Sequence, residues 1–371
     1  MKVAIVHDWL TTWAGAEKAL AELVRCFPQA EIFTTVNFLP IEKMPALRES
    51  VIHTSFIQRL PFARTCYRHY LPLMPLAVEQ FDLKGFDLIL SSSHAVAKGV
   101  ISDPNAVHIC YCYSPMRYAW DMQHQYLRQT GKQSGVMSWL LRWQLHRLRQ
   151  WDFISAQRVD HFVAISNYIK RRIAGCYRRE AEVVYPPVEV DRFCHDRPRE
   201  AFYLTASRMV PYKRIDLIID AFKQMPDQRL VVIGDGPDRA KLSARAGPNV
   251  TLLGYQPDDV LVDYLERARA FLFMAEEDFG ILPVEAQAAG APVIGYAVGG
   301  LAETILDDVT GLWVAEQTSA ALTKRIRQFE QRRQAEPEAF SPAACRQSAE
   351  RFTTVNFHRA ILSLVAKHLP R

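Results

Sequence analysis

The sequence predicts an α/β protein made of two Rossmann-like domains, each a parallel sheet covered by helices. Three observations carry this. Short apolar runs alternate with amphipathic stretches along the whole chain, the pattern of βαβ units around parallel sheets. The rhythm breaks once, at Tyr185-Pro186-Pro187, where paired prolines favour an extended connection over helix, and then restarts. Finally, 371 residues are enough for two cores of ordinary size.

In chain order, strands are expected at Val3–Val6, Glu31–Thr35, Leu88–Ser91, Val107–Tyr111 and Phe162–Ile165, with helices after Gly15 and Ser166. The second half restarts at Phe202–Leu204 and continues with Leu230–Gly234, Val250–Leu253, Ala270–Met274, Pro292–Gly295 and Gly311–Val314. Ile361, Leu362, Leu364 and Val365 have helical spacing, so a terminal helix is expected from Asn356 to His368. The predicted domains are 1–185 and 201–352, joined by a linker 186–200 and followed by a C-terminal helix in 353–371.

Composition narrows the function classes. Hydrophobic content of 49% and charged content of 23% are those of a globular chain. A net charge of +5 suits a nucleotide phosphate or an anionic membrane surface and requires neither. No charge block resembles a nucleic-acid-binding tail, so nucleic acid is not an expected partner. The cysteines form neither a paired framework nor a CxxC pattern, which points to reduced thiols and a cytoplasmic location. Met1-Lys2-Val3-Ala4-Ile5-Val6 reads as a strand and not as a signal peptide. No apolar run reaches spanning length, so membrane contact is expected to be peripheral.

Glu277 and Glu285 flank a Phe279-Gly280 turn between the apolar run Ala270–Met274 and a helix that Pro283 is expected to begin. Glu277 is then in the loop and Glu285 in the first helical turn, where free N–H groups favour anionic or hydroxyl-rich ligands. A loop charge and a helix-start glutamate stabilised by the dipole explain the same two carboxylates equally well. Arg208 and Lys213 lie in Ser207–Lys213, after a strand, where open α/β sheets place ligands. Such a pair brackets a diphosphate, Arg as a planar fork and Lys as a point charge, although loop Arg and Lys are commonly solvated.

Val231–Pro237 runs into a Gly-rich turn whose role is expected to be structural, and Val298–Glu303 offers backbone amides to a phosphate. In the first half, Gly15 in His7–Lys18 permits close approach of a diphosphate to a helix start. That loop lacks GxGxxG, and Walker A is absent from the chain, which disfavours dehydrogenase and P-loop readings. His94, in Ser91–Gly99, is a catalytic candidate or a hydrogen-bonded structural residue. No DxD-like pair or His cluster at a strand end offers a divalent-ion site.

Together these segments resemble retaining nucleotide-sugar glycosyltransferases of family four, with the GT-B fold. The resemblance covers nearly the whole chain. It rests on E-x7-E at Glu277 and Glu285, Arg-x4-Lys at Arg208 and Lys213, the Gly15 loop and Val298-Gly299-Gly300. Tyr111–Asp121 is similar to bacterial mannosyltransferases of surface-polysaccharide biosynthesis. The resemblance implies two Rossmann-like domains facing each other across a cleft, the N-terminal one on the acceptor side and the C-terminal one binding the donor, with the C-terminal helix returning to the first. It implies that Arg208 and Lys213 hold the donor diphosphate and act with Glu277 and His94 in catalysis. Glu285 takes ribose hydroxyls. Glu277 with the Phe279, Gly280, Ile281 and Leu282 backbone holds the sugar, and Gly254 and Tyr255 lie near the base. Tyr113, Arg117 and His94 fall on the acceptor side. Many relatives carry His where this chain has Tyr113, and Gly-Gly where it has Ala14-Gly15.

The implied reaction is metal-independent, cofactor-free transfer of a sugar, mannose from GDP-mannose, to a polysaccharide or lipid-linked oligosaccharide. A UDP-sugar transferase, a nucleotide-sugar-binding sensor and a sugar phosphorylase are the rivals. Trp139–Trp151 mixes Trp, Leu and Arg at helical spacing. That pattern fits peripheral contact with the inner face of the cytoplasmic membrane as well as packing onto the first domain.

Overall fold

The computed structural model describes residues 1–124, 127 and 134–369. The chain divides into two compact units, Met1–Pro187 with Phe357–Arg371, and Val188–Asn356.

Among the described residues the first unit holds a seven-stranded parallel sheet. Its strands are β1 (Val3–His7), β2 (Glu31–Thr34), β3 (Ile52–Thr54), β4 (Leu88–Ser93), β5 (Val107–Cys112), β6 (His161–Ala164) and β7 (Ala181–Val183). The spatial order is β3-β2-β1-β4-β5-β6-β7. β1 is buried at every residue, as a strand covered on both faces must be. β4 runs two residues beyond the expected Ser91. Its serines continue the strand because each hydroxyl finds a partner there: His108 for Ser91, His7 and Tyr113 for Ser92, and the Lys98 N–H for Ser93. The outer strands β3 and β7 have three residues each, too short for a periodic signal, and were not anticipated.

Helices α1 (Gly15–Cys26), α2 (Val136–Ala156) and α3 (Asn167–Tyr177) belong to this unit, with the Ser166 hydroxyl capping α3. From Phe357 the C-terminal helix Thr354–His368 also belongs here. Phe357 packs on Tyr111 with ring centroids 5.6 Å apart, His358 Nε2 lies 2.7 Å from Glu22, and Lys367 donates to Glu182.

The second unit holds β8 (Tyr203–Ala206), β9 (Leu230–Ile233), β10 (Val250–Gly254), β11 (Ala270–Phe273), β12 (Val293–Tyr296) and β13 (Gly311–Val314), in the order β10-β9-β8-β11-β12-β13. Helix α4 (Ile215–Lys223) puts Ile215, Ile218, Ile219 and Phe222 on one face. They pack with Tyr203, Leu272 and Phe329 in the core, where each fully buried side chain contributes about 2 kcal/mol.

Most of the segment read as a linker is attached to this unit. Val188 pairs with Thr353, the Cys194 N–H donates to Glu266, and Arg199 donates to the Leu265 and Glu266 carbonyls. Pro186 and Pro187 lie outside helix and strand, a 3-10 turn follows at Val190–Arg192, and backbone and side-chain bonds hold the stretch from Val188 onward in place.

Each sheet reverses its strand order once, between β1 and β4 in the first unit and between β8 and β11 in the second. Open α/β sheets bind ligands at such reversals.

Candidate active site

In the second unit the reversal brings the loops after β8 and β11 side by side. Lys213 Nζ and Glu277 Oε1 form an ion pair there, 64 positions apart in sequence. Tyr212 and Phe273 bracket the ammonium, their ring centroids 5.3 and 5.7 Å from Nζ. Arg208, in the loop that leads to Lys213, is exposed.

The Glu277 loop is held through its backbone. Glu277 pairs with Gly299 in an isolated parallel bridge, and its carbonyl accepts from the Gly300 N–H at 2.8 Å. Gly299 has φ +77°, and a Cβ there would overlap the Glu277 carbonyl oxygen. Phe279 is buried against Phe352, so its ring anchors the loop.

Gly280, at φ +85°, turns the chain into α5 (Ile281–Ala288) two residues earlier than expected. Pro283 is therefore the third helical residue, a position whose N–H also lacks an intrahelical partner. Glu285 is the fifth, past the first turn, which corrects its expected placement. It is buried, and its charge acts on Arg192, which also donates to Asp258 at 2.7 Å. Burial disfavours the Arg192 charge, but Asp258 and Glu285 outweigh it and hold the guanidinium above its ordinary value. Arg192 was missed because it lies in the non-periodic stretch read as a linker.

Gly254 ends β10 at the sheet edge, two strands from β8, and Tyr255, which follows it, is exposed. Gly234 has φ +131° where β9 ends, and a Cβ there would overlap the Ser207 carbonyl, so it shapes the Arg208 loop.

In the first unit the reversal brings together Asp8, after β1, and His94, after β4. Asp8 is fully buried and accepts four backbone N–H groups, from His94, Ala95, Val96 and Ala97, at 2.6–3.0 Å. His94 Nδ1 lies 2.9 Å from Asp8 Oδ2, and the imidazole meets Trp9 edge-on at 4.7 Å. Burial pushes the Asp8 carboxyl up, yet the His94 charge and hydrogen bonds, with His7 behind them, hold it well below the ordinary range. Burial pushes His94 down, and the Asp8 carboxylate overcomes this and raises it. The sequence placed Asp8 in the right loop but gave no sign of its role.

Tyr113, at the end of β5, spends its hydroxyl proton on the Ala16 carbonyl at 2.9 Å. Its oxygen is left to accept from Ser92 at 2.9 Å, and Ser92 to accept from His7 Nδ1–H at 3.0 Å. His7 Nε2 then faces Glu17 Oε1 at 3.8 Å, and Glu17 accepts the Ala14 N–H at the start of α1. Burial pushes the Tyr113 phenol well above its ordinary value. Gly15, half-buried, is the first residue of α1, where the Glu17 carboxylate already meets part of the demand for negative charge. Arg117 is half-buried after β5, near Asp121, which pairs with Arg172.

Residues 13–192 match the Glycosyltransferase Family 4 profile, and residues 189–347 match that of Glycosyl transferases group 1. The structure of Anabaena Alr3699/HepE in complex with UDP superimposes with a TM-score of 0.70 at 16% identity, over 99% of this chain and 100% of that one. The chain has the GT-B glycosyltransferase fold. In sequence, this GT-B chain is 34% identical over 156 residues to a D-inositol 3-phosphate glycosyltransferase of Mycobacterium sp. (strain KMS), covering 36% of this chain and 35% of the relative. It is 29% identical over 198 residues to a GDP-mannose-dependent alpha-(1-6)-phosphatidylinositol monomannoside mannosyltransferase of Mycolicibacterium smegmatis, covering 45% and 52%. The alignments thus span about half or less of these relatives' lengths.

Proposed function

We propose that this GT-B chain is a retaining glycosyltransferase that moves mannose from GDP-mannose to a polysaccharide or lipid-linked oligosaccharide. The observation that carries this reading is the Lys213–Glu277 pair at the sheet reversal, with Arg208 exposed on the loop that leads to it. A donor diphosphate takes Lys213 and Arg208 as its counter-charges and releases Glu277 to accept hydroxyls of the sugar. As the bond from C1 to the phosphate oxygen breaks, those cations stabilise the leaving diphosphate. The acceptor oxygen bonds to C1 on the same face and passes its proton to the departing phosphate, a route that needs no metal ion. Glu285 accepts the ribose hydroxyls, and the Asp8–His94 side of the first unit orients the acceptor. The mannosyltransferase relative supports the choice of donor.

Among the described residues no helix is long and apolar enough to cross a membrane. Trp139, Leu140 and Trp143 stand exposed on α2, which supports peripheral contact with the inner face of the cytoplasmic membrane. Liposome flotation of wild type and Trp139→Ala checks that contact, and equal absence from both floated fractions removes it.

The donor is tested by a thermal-shift panel of GDP-mannose, GDP and UDP-sugars, since a ligand that binds the folded state raises Tm by mass action. Stabilisation is expected to be greatest with GDP-mannose. A larger shift with a UDP-sugar overturns the donor assignment. Binding without transfer or slow hydrolysis identifies a sensor.

A further inference from the structure

The turn Val190–Arg192 belongs to the second unit and packs on α5, which in turn packs on the helix Asp258–Arg267. The turn is firmly held. The Arg346 guanidinium donates to the Val190 carbonyl at 2.7 Å and to the Phe193 carbonyl at 3.1 Å, and the Val188 N–H donates to the Phe352 carbonyl at 2.8 Å. The Phe193 ring centroid lies 4.8 Å from Arg192 Cζ.

The two edges of the Arg192 guanidinium are used unequally. Nη1 donates to Asp258 Oδ2 at 2.7 Å and has Glu189 Oε2 at 3.6 Å. Both of those acids keep more than half of their side-chain surface in solvent, where an ion pair contributes little. Nε and Nη2, the parallel donors that a carboxylate fits, are buried and have no hydrogen-bond partner among the described residues. A third carboxylate acts on Arg192, that of Glu285, and it is buried.

Glu285 needs a countercharge more than the other two. It is the fifth residue of α5, past the helix start where free N–H groups meet a negative charge. A buried carboxylate without such help takes up a proton, and the protonated form has less capacity to accept hydroxyl bonds. On the other side of Arg192, Asp258 opens the helix that follows Gly254 and Tyr255. Arg192 therefore joins the segment expected near the base to the residue expected at the ribose.

We propose that Arg192 is a positioning residue for the nucleoside half of the donor. On nucleotide binding its Nε–Nη2 edge receives one Glu285 oxygen, which keeps the carboxylate ionised and leaves the other oxygen to the paired ribose hydroxyls. The proposal rests on the transferase reading, in which Glu285 takes those hydroxyls. A site built to bond a hydroxyl rejects the analogue that lacks it, so Arg192 sets the preference for ribonucleotides over deoxyribonucleotides.

The test is calorimetric titration of GDP against 2′-deoxy-GDP and of UDP against 2′-deoxy-UDP. Wild type is expected to bind its better ribonucleotide at least about tenfold more tightly than the deoxy form. Arg192→Met brings that ratio toward unity, as Glu285→Gln does, and the double variant discriminates no worse than either. Arg192→Lys restores the charge without the fork and recovers part of the ratio. Arg197→Met, which removes a guanidinium paired with Asp263 and Glu266, keeps the wild-type ratio. If Arg192→Met weakens both nucleotides alike and keeps the ratio, Arg192 is merely structural and the proposal is overturned. A wild type that binds both forms equally removes the ribose assignment of Glu285 and the proposal with it. A wild type that binds neither nucleotide counts against the transferase reading, and urea unfolding then decides the pairing. There the double variant is expected to lose less stability than the two single variants together, and strict additivity overturns the pairing.

Discussion

The two sheet reversals use similar residue types for opposite ends. In the second unit the charges meet each other or solvent: Lys213 and Glu277 form an ion pair, and Arg208 is exposed. In the first unit they are consumed internally. Asp8 is saturated by four N–H groups and His94, and Tyr113, Ser92, His7 and Glu17 form a chain that ends on the first turn of α1. An anion binds where countercharge is exchangeable. A polar group already paired inside the fold instead fixes the shape of the loop around it.

The contrast is broken most directly at Asp8. Asp8→Ala leaves four buried N–H donors and an imidazole without their acceptor and is expected to cost on the order of 4 kcal/mol in urea unfolding. A loss below about 1 kcal/mol would place Asp8 among ordinary surface carboxylates.

Lys213→Ala carries the opposite signature. It is expected to weaken donor affinity by about 2 kcal/mol with little change in stability, as for a lost charge-assisted bond to phosphate. Unchanged donor kinetics in both Lys213→Ala and Arg208→Ala would remove the phosphate assignment.

Gly299→Ala strains a left-handed backbone and crowds the Glu277 carbonyl. A stability loss of roughly 2 kcal/mol is expected, with weaker donor binding because the Glu277 loop shifts. Intact donor affinity would show that the loop tolerates displacement.

Tyr113→Phe removes the bond to Ala16 and the acceptor of the buried Ser92 hydroxyl and is expected to cost about 2 kcal/mol, leaving the pH–rate profile unchanged. A lost titration limb in that variant would instead make the phenol a proton-transfer group.

The smallest effect is the pH dependence of the Asp8–His94 pair. His94 is raised in the fold, so its contribution is complete below the unfolded value near 6.5 and is lost as pH rises through the higher folded value. Asp8 is depressed, so its contribution is present above the unfolded value near 3.8 and is lost as pH falls. His94→Gln should flatten the alkaline limb of the stability curve and also weaken the acid limb, because the His94 charge is a main cause of the Asp8 depression. Superimposable curves would exclude the pair as a source of the pH dependence.

What the sequence determined by itself is local. Apolar periodicity marked most strands of both sheets, since a buried parallel strand must be apolar whatever its partners are. The Arg208–Lys213 and Glu277–Glu285 spacings marked two candidate segments because Arg208, Lys213 and Glu277 lie in strand-to-helix connections and Glu285 in the helix that follows. The three-residue strands β3 and β7 left no such pattern, and the exact start of α5 depended on a glycine conformation that spacing does not encode.

Tertiary structure decided which of those residues are already paired. Lys213 finds Glu277 across 64 positions, and Asp8 finds the His94 backbone across 86. Whether a charge is available to a ligand or committed to the fold depends on partners that chain reversal brings together, and that distance is invisible to a local pattern. For the same reason only the folded chain shows that the acid-free segment before Glu79 lines two adjoining grooves with α2.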